Sequence, residues 1–118
     1  MSHSKKEVAL LFSNGEFKKV QDHLSPDVVW TIVGEQVYTG KKEVIAYCDQ
    51  TALYFQSVET DFKTNKVIES DSTVVIMVTA EFKKQGVRQA YISACDVYEF
   101  NNSNKIITIT SYCMPSKT

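Results

Sequence analysis

The segment VRQAYISACDVYEF, at Val87–Phe100, predicts one long β-strand. Successive side chains of a strand point to opposite faces of the sheet, so the segment divides into two sets. One set is apolar except for a single acid and consists of Ala90, Ile92, Ala94, Asp96, Tyr98 and Phe100. The other set consists of Gln89, Tyr91, Ser93, Cys95, Val97 and Glu99. We therefore expect Asp96 to point toward an apolar interior.

The residues after this strand predict a hairpin that surrounds Asp96 with small and apolar side chains. A four-residue loop at Asn101–Asn104 would place Phe100 opposite Lys105. This register gives three pairs on the inner face: Asp96 with Ile109, Ala94 with Ser111, and Ile92 with Cys113. The expected neighbours of Asp96 are then Ala94, Tyr98, Ile109 and Ser111. Two of these neighbours are small, which leaves room for a ligand beside the carboxylate.

Asp96 has two functional roles and two ordinary roles open to it. An apolar setting disfavours the charged carboxylate and raises its pKa, so the group could stay protonated and donate a hydrogen bond. It could equally transfer protons to and from a bound molecule. As a structural residue it would reach solvent at the open end of the sheet or pair with a polar group from a helix. Arg88 shares its face but lies about 26 Å away along an extended strand, so it is no direct partner.

The first half of the chain has the pattern of short helices followed by a strand. Apolar residues recur at helical spacing in Val8–Phe12 and again in Phe17–Leu24, with a break expected at Asn14-Gly15. Ser25-Pro26-Asp27 predicts a stop, because proline removes a donor and restricts the residue before it. The β-branched and aromatic run Val28–Val33 then predicts a strand.

The second half is rich in β-strands. Gly34–Gly40 predicts a loop or a short hairpin, and a third helix is expected from Thr39 to about Tyr54. Four β-rich runs follow: Phe55–Glu69, Thr73–Lys84, Val87–Phe100 and Lys105–Met114. Helices followed by a meander of long strands predict a single α+β domain over residues 1–118. We expect a strongly curved antiparallel sheet wrapped around the N-terminal helices.

Composition disfavours several classes of function. The chain has 118 residues and a formal charge of -1, so it shows no electrostatic footprint for nucleic acid or an anionic membrane. No apolar run approaches the length of a membrane span. Distant histidines and separated cysteines predict no metal site, and the absence of a glycine-rich phosphate motif predicts no cofactor. Three cysteines without a CxxC pair fit a reducing compartment, which predicts a cytoplasmic protein.

The final hairpin resembles that of a known family. Ser93–Asn101 and Lys105–Thr108 resemble the last hairpin of ketosteroid isomerases and SnoaL-like proteins, where an acid precedes an aromatic–x–aromatic–Asn turn. Leu24–Trp30 and Tyr38–Val44 resemble the family's passage from loop and strand to Gly-Lys and helix. Resemblance to this branch of the nuclear-transport-factor-2-like superfamily implies a cystatin-like α+β cone with a pocket, usually homodimeric. Its members include isomerases, epoxide hydrolases, polyketide cyclases, dehydratases and binding modules, so fold does not fix function.

The resemblance carries over one catalytic residue. Asp96 matches the position of the protonated aspartate in the oxyanion hole of ketosteroid isomerases. Their base falls on Thr31 or Ile32 and their oxyanion tyrosine falls near Val8, and none of these side chains can serve in those roles. The Asp-Arg-Asp arrangement of the epoxide hydrolases also lacks a counterpart. Steroid isomerisation is therefore disfavoured, whereas a cyclase-like enzyme with one carboxylate stays open.

The remaining candidates for a cavity wall are mostly aromatic. Trp30 shares an inward face with Ile32 and either lines the cavity with a free indole N–H or packs in the core. Tyr47 and Tyr54 lie on one side of the third helix and either present hydroxyls to the cavity or pack against the sheet. His23 could act as a base or interact with a helix C-terminus. The predicted ligand-binding set is Trp30, Ile32, Tyr47, Tyr54, Ala94, Tyr98, Ile109 and Ser111, with Asp96 as the catalytic candidate.

These residues support three hypotheses. The first is a cofactor-independent isomerase, cyclase or hydrolase that acts on a small hydrophobic molecule, with Asp96 as acid–base group or hydrogen-bond donor. The second is a non-catalytic ligand-binding or dimerisation module whose outer sheet face forms a homodimer. That face carries Tyr91, Ser93, Cys95, Val97, Thr108, Thr110 and Tyr112. The third is a family member whose cavity is filled by bulky side chains.

Overall fold

The computed structural model describes residues 3–116. Within them, the helices α1 (Lys5–Ser13) and α2 (Lys41–Ser57) and two 3-10 turns (Phe17–Lys19 and Gln21–His23) accompany a six-stranded sheet. The strands are β1 (Leu24–Ile32), β2 (Gln36–Thr39), β3 (Glu59–Glu69), β4 (Thr73–Lys84), β5 (Val87–Phe100) and β6 (Ile106–Pro115). Their order in the sheet is β2-β1-β6-β5-β4-β3. The predicted α+β class is confirmed.

The sheet is mixed, which corrects the expectation of an antiparallel one. Hairpins join β3 to β6 into an antiparallel meander, but β1 lies parallel to β6, with Ile32 beside Ser111. A hairpin fixes the relative direction of strands that are adjacent in sequence. β1 and β6 are far apart in the chain, so their direction depends on how the whole molecule packs. The sheet stays open, with β2 and β3 at its edges.

The chain before the first strand is less helical than its periodicity predicts. α1 begins at a capping box in which Ser4 and Glu7 satisfy each other's backbone amides. The second predicted helix is wrong, because two 3-10 turns take its place and β1 already begins at Leu24. Pro26, the predicted stop, lies inside β1 where the pairing with β6 shifts register. Proline is tolerated there because an irregular ladder does not need its missing N–H.

The second long helix extends beyond its predicted end near Tyr54. α2 ends at Ser57, and β3 begins only at Glu59, so Phe55 is helical rather than extended. The Phe55 ring stacks on Phe82 of β4 with ring centroids 5.5 Å apart. Packing of this aromatic residue on the sheet thus outweighs the β-propensity of the segment.

The hairpin between β5 and β6 has a register two residues away from the predicted one. Its inner pairs are Asp96 with Ser111, Ala94 with Cys113, and Tyr98 with Ile109. Because side chains alternate with a period of two, this shift keeps every residue on its predicted face. The inward orientation of Asp96 therefore survives, while its direct partner becomes Ser111 instead of Ile109.

The loop of this hairpin and the irregularity beside it together explain the shift. Lys105 lies outside the ladder together with Asn101–Asn104, and Phe100 pairs with Ile106 across an irregularity in register. The Asn101 side chain accepts hydrogen bonds from the amides of Ser103 and Lys105. The loop is thereby one residue longer than the predicted four, which moves the register by one residue. The irregularity between Glu99 and Phe100 supplies the second residue of the shift.

The core lies between the helices and the inner face of the sheet. Its largest fully buried side chains include Tyr98, Leu24, Ile76, Ile106 and Ile109. From α1, Val8, Ala9 and Phe12 are buried, and from α2, Val44 and Cys48. No helix within residues 3–116 is long and apolar enough to cross a membrane.

Candidate functional site

A cavity of about 290 Å³ lies between the two helices and the inner face of the sheet. Aromatic side chains form much of its wall, among them Phe12, Phe17, Trp30, Tyr47, Tyr54 and Phe55. Asp96 also borders it and is only 9% exposed, whereas Tyr54 is 45% exposed. The carboxylate therefore lies deep in the cavity, and Tyr54 lies near its rim.

The sheet places Asp96 in a row of inward-facing side chains. Cross-strand pairing aligns Ile76 of β4, Asp96 of β5, Ser111 of β6 and Ile32 of β1. Two of these four are aliphatic, and Ser111 is the only neutral polar one. The strand period thus brings one carboxylate and one hydroxyl side by side on an otherwise apolar surface.

Two hydroxyl groups converge on the Asp96 carboxylate. The Ser13 Oγ, at the end of α1, donates to Asp96 Oδ2 at 2.8 Å. Ser111, the cross-strand partner of Asp96, brings a second hydroxyl that lowers the pKa of the carboxyl group. One structural role expected for Asp96 is to pair with a polar group from a helix, and Ser13 is such a group. The Asp96 carboxylate also borders the cavity, as the functional roles require.

While Asp96 is ionised, the protons in this network have a single direction. The indole N–H of Trp30 can only donate, and it donates to Ser111 Oγ at 2.9 Å, which leaves the Ser111 proton for Asp96. Ser13 has one hydroxyl proton and donates it to Asp96. In the hydrogen bond between Ser13 Oγ and the Tyr98 hydroxyl, 2.6 Å long, Tyr98 is therefore the donor. The pairs Trp30–Ser111 and Tyr98–Ser13 therefore both direct a hydroxyl proton toward Asp96, an arrangement that suits a carboxylate acting as acceptor.

Burial and hydrogen bonding act in opposite directions on Asp96. Burial raises the pKa of the Asp96 carboxyl group, and the hydrogen bonds from Ser111 and Ser13 lower it by a smaller amount. Burial also raises the pKa of Tyr98 well above that of a free phenol, so this hydroxyl keeps its proton. Among the ion pairs within residues 3–116, none involves Asp96. The result is a carboxyl group more basic than an ordinary aspartate, held by neutral donors.

One wall of the cavity is a stack of aromatic rings. Tyr47 stacks on Tyr38 with ring centroids 4.2 Å apart and meets Trp30 edge-on at 5.2 Å. Phe12 also meets Trp30 edge-on, with ring centroids 5.1 Å apart. Burial raises the pKa of Tyr47, so its hydroxyl is neutral at physiological pH. These mutual contacts hold the wall in place without a ligand.

The structure brings together most of the residues that the sequence singles out. Those that border the cavity are Trp30, Ile32, Tyr47, Tyr54, Ala94, Asp96 and Ser111. Tyr98 is fully buried and reaches the site only through Ser13, and Ile109 lies in the core without bordering the cavity. The Trp30 N–H is not free, because Ser111 accepts it. His23 does not border the cavity.

Sequence reasoning misses Ser13, Glu35 and Cys113, all of which border the cavity. Ser13 lies next to Asn14-Gly15, where a serine suggests nothing more than a helix end. Only the packing of α1 on β4 and β5 brings its hydroxyl to Asp96. Within residues 3–116 no cluster of three His, Cys, Asp or Glu side chains is arranged to hold a metal ion.

Comparison with known proteins assigns the family. The SnoaL-like domain model matches residues 7–109. The chain belongs to the SnoaL-like family. A nuclear-transport-factor-2-like protein of unknown function from Cytophaga hutchinsonii is 31% identical, with a TM-score of 0.83 over 92% of this chain and 94% of that one. Among curated proteins, none matches this SnoaL-like sequence.

Two more distant structures share the SnoaL-like fold. An epoxide hydrolase of the LEH-like type from M. tuberculosis is 18% identical, with a TM-score of 0.70 over 93% of this chain and 82% of that one. The epoxide hydrolase/cyclase-like enzyme SalBIII, which has a role in pyran ring formation in the polyether salinomycin, is 16% identical. Its TM-score is 0.72 over 93% of this chain and 90% of that one. At such identities the likeness concerns the fold alone.

Proposed function

We propose that this SnoaL-like protein binds a small hydrophobic molecule in the cavity and that Asp96 exchanges a proton with the molecule's polar group. The observation that carries the proposal is a carboxylate 9% exposed, bordering a largely aromatic cavity, with neutral donors on its protein side. A ligand pocket is typically apolar with a few convergent polar groups, and this cavity has that composition. A perturbed titratable group in such a setting is a candidate for acid–base chemistry.

The size of the cavity limits the ligand. A cavity of about 150 Å³ is sufficient for benzene. The present one, at about 290 Å³, has roughly twice that volume and suits a molecule of about two fused rings. We therefore expect a compact ligand without long polar extensions.

Proton transfer at Asp96 is compatible with a cofactor-independent cyclase, isomerase or hydrolase. The carboxylate would accept the proton of an O–H group as its oxygen forms a new bond to carbon. It would then return that proton to the oxygen whose bond to carbon breaks, so the protein ends unchanged. A raised pKa helps both steps, because a base whose pKa approaches the working pH is more effective. The epoxide hydrolase and SalBIII show that chemistry of this class occurs on the same fold.

Binding is tested by filling the cavity. Ala94 borders it next to Asp96, whereas Ala46 is exposed on α2. We expect Ala94→Phe to abolish retention of a co-purified small molecule in native mass spectrometry, and to abolish binding of 1-adamantanol. Ala46→Phe adds the same volume at the surface and should bind as the wild type does. Equal binding by both variants would contradict the cavity as the site.

Catalysis is tested with a substrate that needs only proton transfer, the ring closure of 4,5-epoxyhexan-1-ol to a cyclic ether. Asp96→Asn should lower the rate at least about 100-fold, the usual contribution of general acid–base catalysis, while 1-adamantanol still binds. Ser13→Ala should shift the pH–rate profile to higher pH, because Asp96 loses a hydrogen bond that lowers its pKa. Ser57→Ala, exposed at the end of α2, is the control. An unchanged rate in Asp96→Asn would remove the catalytic role.

A second proposal is that the outer sheet face forms a homodimer. Cross-strand pairing places Met77, Cys95 and Tyr112 in one outward row, and Met77 and Tyr112 are 42% and 48% exposed. Large apolar side chains exposed together suggest an interaction surface.

All three cysteines are free, which agrees with the proposal of a cytoplasmic location.

A further inference from the structure

The charged groups that border the cavity are all acidic. Asp96 lies deep within it, and Glu35, an exposed residue between β1 and β2, borders it as well. Within the described part of the chain, no lysine, arginine or histidine borders the cavity. A carboxylate or phosphate ligand would enter this space without any cation to neutralise it, so anionic ligands are disfavoured.

The Asp96 carboxylate lacks a counter-charge on its protein side. Its partners there are the hydroxyls of Ser13 and Ser111, which in turn accept from Tyr98 and Trp30. Every member of this network is neutral. A buried carboxylate without a cation costs free energy, and that cost falls when a positive charge comes within hydrogen-bonding distance. The cavity is the side of Asp96 from which such a charge could come.

The aromatic wall of the cavity also favours a positively charged ligand. Trp30, Tyr47, Phe12 and Phe17 border the cavity, and tryptophan and tyrosine rings attract cations most strongly through their faces. Recognition of ammonium groups by aromatic cages relies on this attraction. An alkylammonium group would thus find a carboxylate at one end of the cavity and aromatic rings around its carbon atoms.

We propose that the ligand of this cavity is a hydrophobic amine, bound as its ammonium ion, with the nitrogen donating to the Asp96 carboxylate. The inference rests on the proposed ligand-binding function and names its substrate class, but it does not require catalysis. Asp96 can act as acceptor without rearrangement, since both serines already direct their protons toward it. The two acids at the cavity exclude acidic analogues of the same shape.

Three probes of one shape test the inference: 1-adamantanamine, 1-adamantanol and 1-adamantanecarboxylate. They differ in a single polar group, and they do not absorb where tryptophan does. Trp30 is the only tryptophan of the chain and borders the cavity, so its fluorescence reports binding directly. At pH 7 and low salt we expect the amine to bind at least tenfold more tightly than the alcohol, and the carboxylate to bind more weakly than both.

Asp96→Asn should reduce the preference for the amine over the alcohol to less than about threefold, with binding of the alcohol retained as proof of folding. Glu35→Gln, which removes the other acid, should keep most of the preference. If the alcohol binds the wild type as tightly as the amine, the amine inference is wrong and the binding function stands. If no probe binds at millimolar concentration, the binding function is wrong as well. Should Asp96→Asn not fold, the ranking of the three probes by the wild type decides alone.

Discussion

Two opposing influences act on the ionisation of Asp96. Burial disfavours its charged form, while the donors Ser13 and Ser111 favour it, and burial is the larger influence. The pKa of the Asp96 carboxyl group is therefore higher in the folded chain than the value of about 3.9 expected in the unfolded chain. Such a residue costs stability when it is ionised, which is acceptable where a ligand or a reaction uses the charge.

The raised pKa predicts how stability depends on pH. Between the unfolded and the folded pKa of Asp96, the folded state binds more protons, so wild-type stability falls as pH rises through this range and then levels off. The asparagine of Asp96→Asn does not titrate, so the free energy of unfolding of this variant does not fall in the same range. Its stability relative to the wild type should therefore grow from pH 4 upward, by about 1.4 kcal/mol for each pH unit between the unfolded and the folded pKa of Asp96. Urea unfolding of both proteins from pH 4 to pH 8 measures the difference. A difference that does not change with pH would show that Asp96 titrates alike in both states.

Hairpin turns set the registers that build the site. The loop between β4 and β5 contains two residues, Gln85 and Gly86, with Lys84 and Val87 paired on either side. Both have positive φ, 53° and 77°, as a type I′ turn requires. Glycine adopts this conformation readily, but glutamine does so only with strain. Gln85 and Gly86 thus form a tight turn in which one residue is poorly suited to its conformation.

Replacing that residue should stabilise the protein. Asparagine is favoured at positive φ and forms the preferred Asn-Gly turn, so we expect Gln85→Asn to raise the free energy of unfolding by about 0.5–1 kcal/mol. Urea denaturation with an unchanged m-value measures this gain. Gln85→Ala is the matched control, because alanine at positive φ gains nothing from its side chain. Equal stability of both variants would show that backbone strain at position 85 has no influence.

At the scale of the whole molecule, the two faces of one sheet differ in their surroundings. Its inner face forms the core and the cavity, and its outer face carries Tyr112 and Met114, exposed by 48% and 67%. The parallel contact of β1 with β6 places Trp30 beside Ile109, so that its indole reaches Ser111. The cavity is thus assembled from both ends of the chain, whereas the outer face leaves large apolar side chains exposed.

A charge on the outer face should test the homodimer. Tyr112→Glu places a carboxylate in the row that it forms with Cys95 and Met77, where burial in an interface would cost several kcal/mol. We expect sedimentation equilibrium to give a dimer for the wild type and a monomer for this variant. Gln50→Glu adds the same charge on the exposed surface of α2 and should stay dimeric. A wild-type monomer at high micromolar concentration would contradict the proposed dimer.

Local pattern is sufficient for the α+β class, for the order of α1, α2 and the strands β3 to β6, and for the inward direction of Asp96. Each depends on a period of 3.6 or 2 residues, which is a property of neighbouring residues in the chain. The parallel β1–β6 contact, the register that sets Asp96 opposite Ser111, and the hydrogen bond from Ser13 depend on the folded molecule. They join residues far apart in sequence or follow from one extra loop residue together with the irregularity beside it. No local periodicity encodes them, because their free energy arises only when the elements pack together.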